Sequence, residues 1–135
     1  MSLVFFCDRN LGKQFGQIRG LGLVVELHDE HFPPDHPDEA LPLEIAGRGW
    51  ILLTFDHRMH RNPVEKSTLL QTQSRVILLP PPKHGNWANE LASAFHQAQG
   101  KVEAFFQRYP PPVVARFEIN LKKVGKSRFI LRRIL

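Results

Sequence analysis

Two short apolar runs in this chain end in an acid. Leu3-Val-Phe-Phe-Cys-Asp8 is the first, and Trp50-Ile-Leu-Leu-Thr-Phe-Asp56 repeats the arrangement. Unbroken runs rich in β-branched and aromatic residues predict strands covered on both faces, as in a parallel sheet. Such sheets bind ligands beyond the carboxyl ends of their strands, where the winding direction reverses. If the first and third strands are neighbours, Asp8 and Asp56 converge there, and two like charges held close need a cation or a proton between them. Carboxylate oxygens suit Mg²⁺ or Mn²⁺, so the chemistry indicated is metal-assisted phosphoryl transfer or hydrolysis. Either Asp alone also suits a plainer role, accepting backbone N–H bonds at the start of the following helix. A third acid is expected from the helix start at Pro37-Asp38-Glu39, where both acids also complement the helix dipole. Spacing does not separate Asp38 from Glu39.

The elements that must position these acids alternate in type. Leu11, Phe15 and Ile18 keep helical spacing up to Gly20, and Leu21 to Leu27 reads as the second strand. His28 to Asp38, rich in His and Pro, reads as a loop. A short helix carrying Leu41 and Ile45 follows, with Pro42 confined to its first turn and Gly47 and Gly49 closing it. Asn62-Pro63-Val64-Glu65 predicts a helix start: Asn62 caps, Pro63 suits the first position and Glu65 reaches back. Arg75 to Leu79 is a fourth strand. Trp87 to Tyr109 reads as one long helix with a weak point at Gly100. Val113 to Leu121 alternates as a half-buried strand, and Arg128 to Leu135 returns in a hairpin around Gly125. The expectation is a single α/β domain over residues 1–135, a three-layer sandwich with a mostly parallel central sheet and a C-terminal basic hairpin.

Composition narrows the partners. The 135 residues are 42% hydrophobic and 23% charged, ordinary for a globular domain, and carry a formal charge of +5. A pI near 9.8 favours an anionic partner. The single cysteine, Cys7, sits in an apolar run and precludes an internal disulfide, so a reducing cytoplasm is expected. The N-terminal run lacks a signal-peptide pattern, and no stretch reaches the ~18 apolar residues of a membrane span. Arg58 and Arg61 follow Asp56 and could hold a phosphate. Lys122, Lys123, Lys126, Arg128, Arg132 and Arg133 form the densest positive cluster, suited to RNA phosphates, to an acidic protein, or simply to protecting an edge strand. His28-Asp29-Glu30-His31 with Asp35 and His36 matches no transition-metal ligand spacing.

Phe6-Cys-Asp8-Arg-Asn10-Leu11, Pro37-Asp38-Glu39, Gly49-Trp-Ile-Leu-Leu-Thr-Phe-Asp56 and Arg58-Met-His-Arg61-Asn62-Pro63 together resemble the PIN-like nuclease domains, and among them the compact branch that includes type II toxin–antitoxin toxins. The likeness spans roughly Leu3 to Pro80. It implies single-stranded RNA as substrate, a metal-activated water as nucleophile and a cognate antitoxin as partner. By position, Asp8 and Asp56 would be metal ligands, Asp38 or Glu39 the helix-borne acid, and Asn10 an orienting group for water or phosphate. The chain departs from related domains in having His57 and Arg58 where another acid often follows the strand-ending Asp. That departure gives weight to a second reading, a catalytically inactive PIN-like module that binds protein or RNA. A receiver-like phosphoacceptor domain fits less well, since the fourth strand ends Leu79-Pro80 rather than in Ser or Thr. A dinucleotide-binding module lacks its G-x-G-x-x-G. Pairing of two copies is expected only from the general tendency of small α/β domains to expose apolar residues.

Overall fold

In the computed structural model, which describes residues 3–9, 11, 23–37, 40–59, 61–81, 87–119 and 129–135 (87–89 by backbone alone), six strands form one sheet. They are β1 (Val4–Cys7), β2 (Val24–Leu27), β3 (Ile51–Thr54), β4 (Arg75–Leu78), β5 (Val113–Ile119) and β6 (Phe129–Arg133). The order across the sheet is β2-β1-β3-β4-β5-β6, parallel throughout except for the antiparallel β5–β6 pair. The chain winds one way from β1 to β2 and the other way from β3 onward. The reversal lies between β1 and β3, the neighbouring pair whose ends carry Asp8 and Asp56.

Side chains alternate across a strand, so each buried strand feeds two cores. Phe5, Cys7, Ile51, Leu53, Ile77, Ala115 and Phe117 point to one face, under α4 (Trp87–Gln97) and α5 (Gln99–Arg108). There Phe95 meets Phe5 edge-on at 5.1 Å and Phe117 at 5.6 Å. Phe6, Leu52, Val76, Leu78 and Val114 point to the other, against α2 (Leu41–Gly47) and α3 (Pro63–Gln71). The result is the expected three-layer sandwich. Fully burying a side chain such as Phe5 or Phe6 contributes about 1.5–3 kcal/mol, so the strand that ends in Asp8 is firmly anchored on both faces.

Three local readings change. The segment after β2 is not all loop: α1 (His28–His31) makes one turn, too short to show a period in sequence. It buries His28 beside Phe6 and sends Phe32 into the second core. The expected long helix is two, α4 and α5, meeting at Ala98, whose ψ of 5° leaves the helical region just ahead of Gly100. Val114, placed by alternation on an open face, is buried because Ile134 and Leu135 fold back and bond its backbone. The expected helix over Leu11 to Ile18 lies mostly outside the described residues.

The close of α2 and the Asn62 cap of α3 follow their sequences, whereas the expected reach of Glu65 back to the Asn62 N–H gives way to a bond from that N–H to Arg58 O. Asn62 Oδ1 accepts from the N–H groups of Val64 and Glu65 at 2.9 and 3.3 Å, satisfying two orphan donors at the start of α3. At the end of α2, Gly49 takes a φ of +74°, Gly49 N–H donates to Ala46 O and Trp50 N–H donates to Ile45 O. This paired closure delivers the chain directly into β3.

Candidate active site

The β1–β3 ladder runs one bond past the strands: Asp8 N–H donates to Leu53 O at 3.2 Å. That bond sets Asp8 beside Thr54, on the face of the second core. Thr54, only 1% exposed, donates its hydroxyl to Asp8 Oδ2 at 2.5 Å. The same oxygen accepts the Asp56 N–H at 3.0 Å. One buried hydroxyl therefore ties the Asp8 carboxylate to the backbone of Asp56. A hydroxyl has one hydrogen and two lone pairs, and here the hydrogen goes to an anion and a lone pair to an amide.

The Asp56 carboxylate is held differently. Its Oδ1 accepts the Arg58 backbone N–H at 3.0 Å and Arg58 Nε at 3.1 Å. Partial burial pushes the Asp56 carboxyl up, and the hydrogen bonds and charge of Arg58, with a smaller contribution from His57, outweigh it. The net result is a pKa below the ordinary value and an ionised carboxylate at neutral pH. Arg58, itself exposed, is shifted up in return by the same contact. His57 bonds Leu79 O through Nε2 at 2.6 Å; a carbonyl only accepts, so that nitrogen carries the proton. This bond draws the start of the basic segment after Asp56 toward the end of β4.

Sequence reading missed Thr54. A Thr inside a strand usually reads as one more β-branched core residue; the available signal was its parity, two positions before an acid and hence on the same side. Of the other expected site residues, Arg58 stands on Asp56 and Arg61 is exposed three positions further on. Asn10, Asp38 and Glu39 lie outside the described residues, as do Lys122, Lys123, Lys126 and Arg128. The described part of the basic cluster divides between the faces of β6. Arg132 shares a face with Arg116 and approaches Glu118 at 3.4 Å, whereas Arg133 sits over the Tyr109 ring on the opposite face. The His-rich segment is likewise separated: His36 bonds Glu44 and His31 bonds Glu26, both at 2.9 Å. Glu26, Glu30 and His31 bring ligand-type atoms within 4.8 Å of one another, on the β2 side of the acids.

A family model described as a PIN like domain matches residues 3–80, a span that includes both strand-ending acids and Thr54. The chain belongs to the PIN-like domain family. PIN-like domains are generally nucleases, and the fold is accordingly nuclease-type. No curated protein and no solved structure matches the chain. The family assignment weakens the receiver-like alternative, and so does the end of β4: Leu78 and Leu79 are fully buried and offer no hydroxyl beside the acids. Among the described residues of this PIN-like chain, no helix is long and apolar enough to cross a membrane.

Proposed function

We propose that this PIN-like chain is a metal-dependent endoribonuclease of the cytoplasm, acting as the toxin of a type II toxin–antitoxin pair and held in check by a cognate antitoxin. The observation that carries the reading is the junction of Asp8, Thr54 and Asp56 at the reversal point of the sheet. Its donors are carboxylate oxygens, half-buried at Asp8 and ionised at Asp56, and a set of this kind fits Mg²⁺ or Mn²⁺. Asp8 and Asp56 would hold the ion, with Asp38 or Glu39 as the third acid. When bound, the ion supplies an activated water and neutralises charge on the phosphate. The chain's own residues do the rest. Thr54 fixes the direction of the Asp8 carboxylate; Asn10 orients water or phosphate; Arg58 and Arg61, with their planar guanidinium groups, grip the strand being cut.

The inactive binding module is favoured by a specific contact, Arg58 on Asp56 Oδ1, which a cation must share or displace. Cleavage of single-stranded RNA with Mg²⁺ or Mn²⁺ separates the two readings. Wild-type protein should cut, with activity lost in EDTA and reduced on the order of a hundredfold or more in Asp8→Asn and in Asp56→Asn. Cleavage indifferent to both substitutions would remove the nuclease assignment, and no cleavage by wild type under any metal would leave the binding module.

A further inference from the structure

The strand register sets one row of side chains across the sheet at the level of the acids. Asp8 stands beside Thr54, Thr54 pairs with Leu78, Leu78 with Arg116 and Arg116 with Arg132. Residues paired across neighbouring strands share a face, so the two arginines look out on the same side as Asp8. Strands lie ~4.8 Å apart, which places Arg116 roughly 14 Å from Asp8 along the row. Arg116 is half-buried, and its Nε is buried with no hydrogen-bond partner among the described residues. With Nε enclosed, a phosphate would be met by the solvent-accessible part of the side chain, and a guanidinium fits phosphate oxygens well. Between the acids and Arg116, the bond from His57 to Leu79 O draws the segment bearing Arg58 and Arg61 toward the β4 end of the rim. On the other side of Asp8, beyond β1, stand Glu26, Asp29 and Glu30 with His31 and Arg9 paired to the first two, whereas the β4–β6 side carries Arg58, Arg61, Arg116 and Arg132 with Glu118 as the acid beside Arg132.

From this asymmetry we infer that a single-stranded RNA leaves the acid pair toward β6, along the β4–β5–β6 rim, with Arg116 taking a backbone phosphate and Arg132 the next contact. The inference rests on the nuclease reading for the direction in which the strand is cut, and on the sheet alone for where it is gripped. The charge balance is the more positive on the β6 side, which gives the path one sense. Arg133, on the opposite face with Tyr109 and Arg108, lies off the path.

The test is binding of a fluorescent single-stranded RNA by anisotropy, in EDTA so that metal-dependent cutting does not intervene, across a salt series. Arg116→Gln should weaken binding about fivefold and flatten the dependence of log K on log salt by about 0.7, the loss of one phosphate contact. Arg116→Lys should keep the salt slope while losing part of the affinity, and it serves where Arg116→Gln lowers the melting temperature. Arg133→Gln should bind as wild type. Wild-type binding by Arg116→Gln, or an equal loss in Arg133→Gln, overturns the path. So does an Arg116→Gln variant that loses affinity for poly-glutamate, an anionic peptide, while binding RNA normally, since the surface would then dock an acidic protein. Loss of cleavage in Asp8→Asn with unchanged RNA binding in Arg116→Gln would refute the path and leave the nuclease reading intact. Weakened binding in Arg116→Gln with cleavage indifferent to Asp8→Asn would uphold the path and refute the acid-pair assignment.

Discussion

Asp8 and Asp56 end two neighbouring parallel strands and yet live in different electrostatic surroundings. Asp8 receives a neutral hydroxyl from Thr54, a donor that orients the carboxylate. Asp56 receives a cation, Arg58, which lowers its pKa and occupies one of its oxygens. The difference shows that a strand-ending acid is defined less by the strand than by the residues around it: Phe55 and Asp56 lead straight into His57 and Arg58, whereas Asp8 looks across the ladder to a residue 46 positions away. Under the proposed metal-dependent reading, an ion must share or displace Arg58 at Asp56, whereas Asp8 is met by the Thr54 hydroxyl.

Several substitutions test this contrast. The largest effect belongs to the acids themselves, and the contrast adds an asymmetry to it. Calorimetric titration with Mn²⁺ should show binding lost in Asp8→Asn and in Asp56→Asn, but only the latter should free the Arg58 side chain, seen as a shift of its Nε–H resonance. Thr54→Val comes next, because it removes the hydrogen bond to Asp8 and leaves the Asp56 N–H without its acceptor. Mn²⁺ affinity should fall about tenfold, as for residues that orient a ligand, and unfolding in urea should show a cost of about 1–3 kcal/mol. Thr54→Ser, which keeps the hydroxyl, should recover most of the affinity; a Ser variant as weak as the Val variant would show that the hydroxyl does not orient Asp8.

Asn62→Ala removes the cap of α3 and loosens the far end of the segment that carries Arg58. A stability loss of about 1 kcal/mol in urea is expected, with Mn²⁺ affinity unchanged. The smallest effect is that of Arg58→Gln on stability, and it has a definite pH dependence. A carboxyl whose folded pKa lies below its unfolded one contributes stability above the unfolded pKa and loses it as pH falls through the folded value. The melting-temperature deficit of Arg58→Gln should therefore be present at neutral pH and shrink as pH drops through and below the ordinary carboxylate range. With the Arg58 side chain gone, burial meets only the backbone N–H of residue 58 and His57, so the Asp56 carboxyl should titrate at higher pH by NMR, and Mn²⁺ should bind more tightly at the less occupied oxygen.

Much of the frame was legible from local chemistry. Apolar runs gave the buried strands, Asn62 and Pro63 gave the start of α3, and the composition of the first and third strands placed both acids at the carboxyl edge of a parallel sheet. Their adjacency depended on topology, which the chain order left open and the β2-β1-β3 pairing supplies. The hydroxyl joining them was hidden because Thr54 looks like its neighbours Leu52 and Leu53 until the register is known. The break at Ala98 carries no breaker of its own, and the burial of Val114 depends on Ile134 and Leu135, twenty positions or so downstream. Arg116 was the least visible: alternation put it on an open face, and only the row from Asp8 gives that face a meaning.

The bond from Thr54 to Asp8 also sets an order in time. A ribosome releases β1 well before β3, and until Leu53 and Thr54 have paired in register with Cys7 and Asp8 the two acids belong to no common site. A slip of one residue would turn Thr54 to the other face of the sheet. The acid pair thus comes into being only once β1 and β3 have paired, so a chain misthreaded there carries both strands' chemistry in sequence and none of it in space.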